Sequence, residues 1–133
     1  MSTAMGQIRV FASYDLQRDE KLFKKLLKQS HRGDSPFVIF DKTDAASMDP
    51  ANDGTLRARL KRVEQLLVIC TEWTHRAENV NREVRIAREE SIPYFFLKGK
   101  LFTEGARPKS ALIDDRIYRW TLGGLYSLVR GAR

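Results

Sequence analysis

Short apolar runs alternate with amphipathic helical stretches along almost the whole chain, and that alternation narrows the fold more than any single motif. Phe37-Val38-Ile39-Phe40 and the run 66–70, Leu66-Leu67-Val68-Ile69-Cys70, are too short for buried helices and unbroken by polar residues. Both read as central strands covered on two faces. Ile8, Val10 and Phe11 open an earlier strand, Tyr94 to Leu97 forms a later one, and a short strand lies near Ile117 to Trp120. Between them, Leu22, Phe23, Leu26 and Leu27 line one helical face, Leu56, Leu60 and Val63 a second, and Val80, Val84 and Ala87 a third. A last helix covers Leu122 to Val129. Strand and helix in turn specify an α/β domain, a central parallel sheet of about five strands with helices on both faces. At 133 residues the chain reads as one domain, 1–133.

The termini carry no long apolar run, so neither a signal peptide nor a membrane span is expected. One cysteine, Cys70, ends an apolar run and reads as a small buried hydrophobe in a reducing cytoplasm. Two histidines, His31 and His75, and that cysteine show no metal-ligand spacing, and His75 has no assigned role. Lysine and arginine number 24 against 17 acids, a formal charge of +7. The excess attracts polyanions. It is spread over several helices, however, with no interleaved aromatics for base stacking, which argues against a nucleic-acid interface.

Glu83 stands out. The helix from about Val80 to Glu90 is basic on one side, where Arg82, Arg85, Arg88 and Glu89 fall. Glu83 projects between Ile86 and Ala87, on the edge of the apolar stripe. A carboxylate there costs desolvation energy, so it is either a partnered structural acid or a functional one. In open parallel sheets ligands bind beyond the carboxyl ends of the strands. Ser13-Tyr14-Asp15, the long loop from Asp41 to Gly54, the loop from Thr71 and the start of the Glu83 helix all converge there. The expectation is a cleft at Glu83 bounded by residues 13–18, 41–46 and 71–75.

A receiver domain shares this alternation, but its phosphate-accepting Asp is missing where the third apolar run ends in Cys70-Thr71. Tyr14-Asp15-Leu16-Gln17-Arg18 is a poor flavin phosphate loop, and neither a P-loop nor Gly-x-Gly-x-x-Gly occurs.

The ordered set of motifs resembles the Toll/interleukin-1 receptor (TIR) family, in its small prokaryotic TIR-like branch that includes Thoeris anti-phage sensors. Arg9-Val10-Phe11-Ala12-Ser13-Tyr14-Asp15 is similar to the family's opening strand, and the strand ending at Asp41 to the start of its BB loop. Leu66 to Thr71 is similar to its third strand, and Asn81-Arg82-Glu83-Val84-Arg85-Ile86-Ala87 to its glutamate-bearing helix start. Ile92-Pro93-Tyr94-Phe95-Phe96 and Ile117-Tyr118-Arg119-Trp120-Thr121 resemble the fourth and last strands. Two departures stand out: Asn79-Val80-Asn81 replaces the Ser-x-Trp-Cys element of eukaryotic members, and the third-strand loop carries an extra Glu72-Trp73-Thr74-His75.

The resemblance implies a flavodoxin-like three-layer sandwich and cleavage of the nicotinamide–ribose bond of NAD, which is a substrate here and not a cofactor. Glu83 would be the catalytic carboxylate. Tyr14 and Trp73 would either stack on a ring of NAD or simply pack. Ser13 and Asp15 would bond ribose or phosphate, with a helix N-cap the alternative for Asp15. Arg18 would pair with the diphosphate, and Asp41 and Lys42 would meet ligand or a neighbouring subunit. The small residues of the 41–54 loop suit a mobile lid that self-association completes. A stand-alone domain suits a producer of a cyclic ADP-ribose signal, a diffusible nucleotide that reaches a separate effector. A non-catalytic interaction or ligand-binding module is the alternative, and a basic nucleic-acid-binding protein is the third reading.

Overall fold

The computed structural model describes residues 6–100 and 106–133. Five parallel strands form one sheet: β1 (Ile8–Ser13), β2 (Phe37–Lys42), β3 (Gln65–Cys70), β4 (Tyr94–Lys98) and the two-residue β5 (Ile117–Tyr118), in the order β2-β1-β3-β4-β5. Four helices, α1 (Glu20–Ser30), α2 (Asp53–Leu60), α3 (Glu78–Glu89) and α4 (Leu122–Val129), complete the domain. The chain is a flavodoxin-like α/β sandwich of the kind the sequence specified.

Strand periodicity divides the core. In β3, whose six residues are all buried, Leu67 and Ile69 face α1 and α4, while Leu66, Val68 and Cys70 face α2 and α3. The same alternation runs along β1. Val10 and Ala12 join Phe23, Leu26, Leu125 and Val129 on one side, and Phe11 joins Leu56, Leu60, Val80 and Val84 on the other. Side chains of a strand project alternately to its two faces, so Tyr14 falls on the α1 side and Ser13 on the α3 side. That parity decides which of them reaches Glu83. Cys70 is fully buried, and burial pushes its thiol well above the ordinary range. Among the described residues no helix is long and apolar enough to cross a membrane.

β2 corrects an expectation. Its apolar run is not central: the strand is an edge, bonded to β1 alone, and Phe40 is 48% exposed. A run of apolar residues reports low polarity, not how many neighbours the strand will have; the Arg9 guanidinium covers part of the Phe40 ring, 5.9 Å from its centroid. The β1–β2 register also slips. Val10 pairs with Ile39, but Phe11 pairs with Asp41, leaving Phe40 as an extra residue. Such a bulge reverses the facing of everything after it. Asp41 is thereby turned toward α2.

Smaller boundaries also move. The loop expected over 41–54 begins only after Lys42, and α2 starts at Asp53 with Asn52 as its N-cap, not Asp53. Residues 45–48 and 50–52 form two 3₁₀ turns, capped by Asp44 and Asp49.

Gly99 follows β4 and donates its N–H to the Cys70 carbonyl at 2.7 Å. A Cβ there would lie 2.8 Å from Leu22 Cδ1 and 3.0 Å from the Cγ2 methyls of both Ile69 and Thr71. The last two are β-branched and cannot swing aside freely. Gly99→Ala should therefore cost about 1–3 kcal/mol through overpacking. Urea denaturation reads this, and an unchanged midpoint would show that the neighbours yield.

Candidate functional site

Glu83 lies on the inward face of α3, opposite Ser13 at the end of β1. Strand parity and helical periodicity bring them together across 70 residues of sequence: Ser13 Oγ donates to Glu83 Oε1 at 2.6 Å. The pair sits at the carboxyl ends of β1 and β3, where strand order reverses, the place at which this sheet topology generates ligand sites.

Glu83 is 0% exposed. The cleft expected there is closed, because Thr43 and the 3₁₀ turn carrying Ser47 lie over the carboxylate. Burial raises its pKa from 4.5 to about 7, against the easing influence of the Ser13, Ser47 and Thr43 hydroxyls and the Arg59 charge. Thr43 Oγ1 already accepts from Asn79 Nδ2 at 2.6 Å, and Ser47 Oγ from the Asp44 N–H at 3.3 Å. Each hydroxyl keeps its own proton to direct toward the acid. Even so, Oε2 closes no hydrogen bond of normal geometry. A buried carboxylate oxygen without a partner costs on the order of 1–3 kcal/mol.

Two arginines clamp the covering segment. Because of the bulge, Asp41 meets Arg59 of α2 through two bonds, Nη2–Oδ1 at 2.7 Å and Nε–Oδ2 at 2.9 Å. Arg59 also reaches Asp44 Oδ1 at 3.2 Å and the Lys42 carbonyl at 2.9 Å. Burial alone would raise the Asp41 pKa, but Arg59 and the Lys42 N–H outweigh it and hold the carboxyl below its ordinary value. Farther along, Arg82 of α3 donates to the Ser47 carbonyl and pairs with Asp53 at 3.1 Å. Asn79, one turn before Glu83, ties the strand ends together by donating to the Tyr14 carbonyl at 2.8 Å as well as to Thr43.

The residues singled out from sequence therefore divide. Ser13 and Glu83 meet in the sealed interior. Asp15 and Arg18 pair at 3.3 Å and line a shallow cavity of about 180 Å³ with Met48, Arg76 and Asn79. Asp15 is no helix N-cap; its Oδ1 accepts from the Gln17 N–H at 3.0 Å, and Asp19 precedes α1. Trp73, 36% exposed, stands beside them with the Arg18 guanidinium 4.9 Å over its ring. Tyr14 is a correction: it is fully buried on the opposite side of the sheet, stacked 5.0 Å from Phe23, with its hydroxyl on Glu20 at 3.0 Å. Its ring cannot stack on a ligand near Glu83. Asp41 is committed to Arg59. Thr43, Ser47, Asn79, Arg59 and Arg82 were not singled out. Of these, only Asn79 carried a sequence signal, its one-turn spacing from Glu83 on the same helix face.

The arrangement holds a carboxyl group in a fully buried site beside a small polar mouth. It can stabilise positive charge developing on a substrate once the covering segment moves. No group of histidine, cysteine and acidic side chains that could hold a metal occurs among the described residues.

No curated protein matches the chain. A family model described as the TIR-like domain of Thoeris protein ThsB matches residues 11–99. That span runs from Phe11 of β1 to Gly99 after β4 and takes in Ser13, the clamped segment and Glu83. Covering more than half of the sequence, that match places the chain in the Thoeris ThsB TIR-like domain family.

Proposed function

We propose that this protein cleaves NAD at the nicotinamide–ribose bond as the signal-producing member of a Thoeris-type anti-phage system. The observation that carries the reading is Glu83: a fully buried carboxylate at the switch point of the sheet, one oxygen held by Ser13 and the other unpartnered. Such an acid weakens the fold whatever its role, and perturbed acids cluster at functional sites.

The chemistry asks for little more. Nicotinamide leaves as a neutral molecule when the C1′–N1 bond breaks, taking the bonding pair and needing no general acid. Positive charge spreads over C1′ and the ring oxygen of the ribose. Glu83 in its ionised form stabilises that charge at close range, and Ser13 fixes the orientation of the carboxylate. Water attacking C1′ gives ADP-ribose. A nucleophile from the adenosine half, if water is kept out, gives a cyclic ADP-ribose isomer, the product that suits a domain acting through a separate effector. Asp15, Arg18 and Trp73 at the mouth are placed to receive the rest of the dinucleotide. A cavity of about 180 Å³ is below the range of roughly 300–1,000 Å³ usual for ligand pockets, so substrate entry requires the 43–48 segment to lift.

The competing reading, a non-catalytic module that works by ligand binding or self-association through the 41–54 segment, draws on that closure. Incubation with NAD followed by chromatography separates the two, since only the enzyme releases nicotinamide.

Glu83→Gln should lower turnover by a factor on the order of 10²–10³ or more, because only the charge is removed. Nicotinamide release at the wild-type rate by the folded variant would end the catalytic assignment. In the wild type, kcat/KM should rise with pH and level off above about 7, the value at which Glu83 ionises.

The same substitution should stabilise the fold, in a pH-dependent way. The folded pKa of about 7 exceeds the ordinary 4.5, so between those values folded Glu83 keeps a proton that the unfolded chain has released. Its contribution to stability is greatest below about pH 4.5 and is lost as pH rises through 7. Gln cannot ionise. The advantage of the variant should grow from near zero at pH 4.5 to about 3 kcal/mol at pH 8. Denaturation midpoints across that range test it, and a constant difference would show that Glu83 ionises as readily folded as unfolded.

A further inference from the structure

On the outer side of α3, adjoining the small mouth through Arg76 and Glu78, a groove of about 710 Å³ runs between that helix and the segment around Lys109. Arg76, Arg82, Arg85 and Lys109 line it against a single acid, Glu78, and His75 completes its wall. Arg76 and Lys109 have no acidic partner among the described residues, while Arg82 and Arg85 share Asp53, at 3.1 and 2.8 Å. His75 presents a buried Nδ1 without a hydrogen-bond partner. Four cations around a nucleotide-sized concavity, three of them planar guanidinium forks, suit phosphate oxygens.

The groove is also mechanically joined to the segment over Glu83. Arg82 is only 11% exposed at its side chain and is shared between Asp53 and the Ser47 carbonyl. Ser47 belongs to the turn that covers Glu83. An anion that draws Arg82 into the groove must take it from that carbonyl.

We infer that the groove binds a small phosphate-bearing molecule of nucleotide size, and that its occupant recruits Arg82 and so loosens the 43–48 segment over Glu83. Binding does not depend on the catalytic reading; its consequence for activity rests on that reading. Arg59, held by Asp41 and Asp44, stays out of the exchange and keeps the segment hinged at its start. Only the Ser47 end is released.

The test uses the full-length protein with inorganic pyrophosphate, which offers phosphate oxygens but no glycosidic bond, so failed catalysis cannot imitate failed binding. Calorimetry should show binding that weakens with salt. Amide exchange at Ala46, Ser47 and Asp49, whose N–H groups are bonded within the turn, should quicken when pyrophosphate is bound. Both effects should be lost in Arg76→Glu/Lys109→Glu, where affinity should fall about tenfold or more; both side chains are exposed, so the variant should keep the wild-type melting curve. Arg82→Met, with its hold on Ser47 already gone, should show fast exchange without pyrophosphate and little further change with it. The inference is overturned by no binding, by binding that the double variant retains, or by binding that leaves exchange at those amides unchanged. Preferential binding of a duplex oligonucleotide over pyrophosphate would likewise replace a small-molecule site with a polyanion surface.

Discussion

The carboxyl edge of this sheet is organised around the cost of taking one carboxylate out of water. Glu83 could have been solvated by a different turn of α3; instead it faces β1, meets Ser13 and is roofed by Thr43 and Ser47. Desolvation outweighs the hydroxyls around it, which is why its pKa stands near 7 and not in the ordinary carboxylate range. A structural acid would be expected to have both oxygens satisfied, since a half-satisfied buried group is worse than an apolar one. Glu83 Oε2 closes no hydrogen bond of normal geometry.

Keeping the roof in place falls to charges that the fold delivers by small backbone devices. The bulge at Phe40 is the least conspicuous of these. Without it, Asp41 would face α1, and Arg59 would lack the partner that holds the chain after β2 close to the sheet. With it, the Asp41–Arg59–Asp44 cluster anchors one end of the covering segment and Arg82 secures the other. Both clamps rely on a charged, partly exposed guanidinium, paired with carboxylates at Arg59 and bonded to a carbonyl at Arg82. Interactions of this kind hold a geometry at modest energy and respond to salt and competing anions.

Much of this was legible in the sequence, for definite reasons. Alternating apolar runs and helical faces are long-range consistent signals, so sheet type, layer structure and the helix bearing Glu83 followed from periodicity. The Ser13–Glu83 contact was implicit in it as well: strand parity puts Ser13 opposite Val10 and Ala12, and helical spacing puts Glu83 inward. The same parity should have removed Tyr14 from the ligand side, because Val10, Ala12 and Tyr14 share one face. The edge position of β2 could not be read from Phe37–Phe40, since composition is silent on neighbour number. Nor could the bulge, a one-residue slip with no glycine to announce it, and with it went the role of Asp41. Thr43, Ser47 and Arg82 acquire meaning only through tertiary contact, and such contacts leave no local pattern.

Closure and reactivity then follow from one energy term. While the roof is down, Glu83 is sealed and half protonated near neutral pH, a poor stabiliser of positive charge and inaccessible to a dinucleotide. Lifting its Ser47 end breaks the contact from Arg82 but lets water or a cationic pyridinium ring reach the carboxylate, so part of the loss is returned as solvation or ion pairing. On the proposed reading, two states in which a buried acid and a largely buried arginine exchange their satisfaction differ by only a few kcal/mol, since each gain offsets a loss of similar size. On that reading the domain is closed without being locked. A modest ligand contribution, on the order of 3–5 kcal/mol of differential binding, suffices to invert the populations. On the proposed reading, the energy that makes Glu83 costly to bury is also what makes its uncovering easy to control.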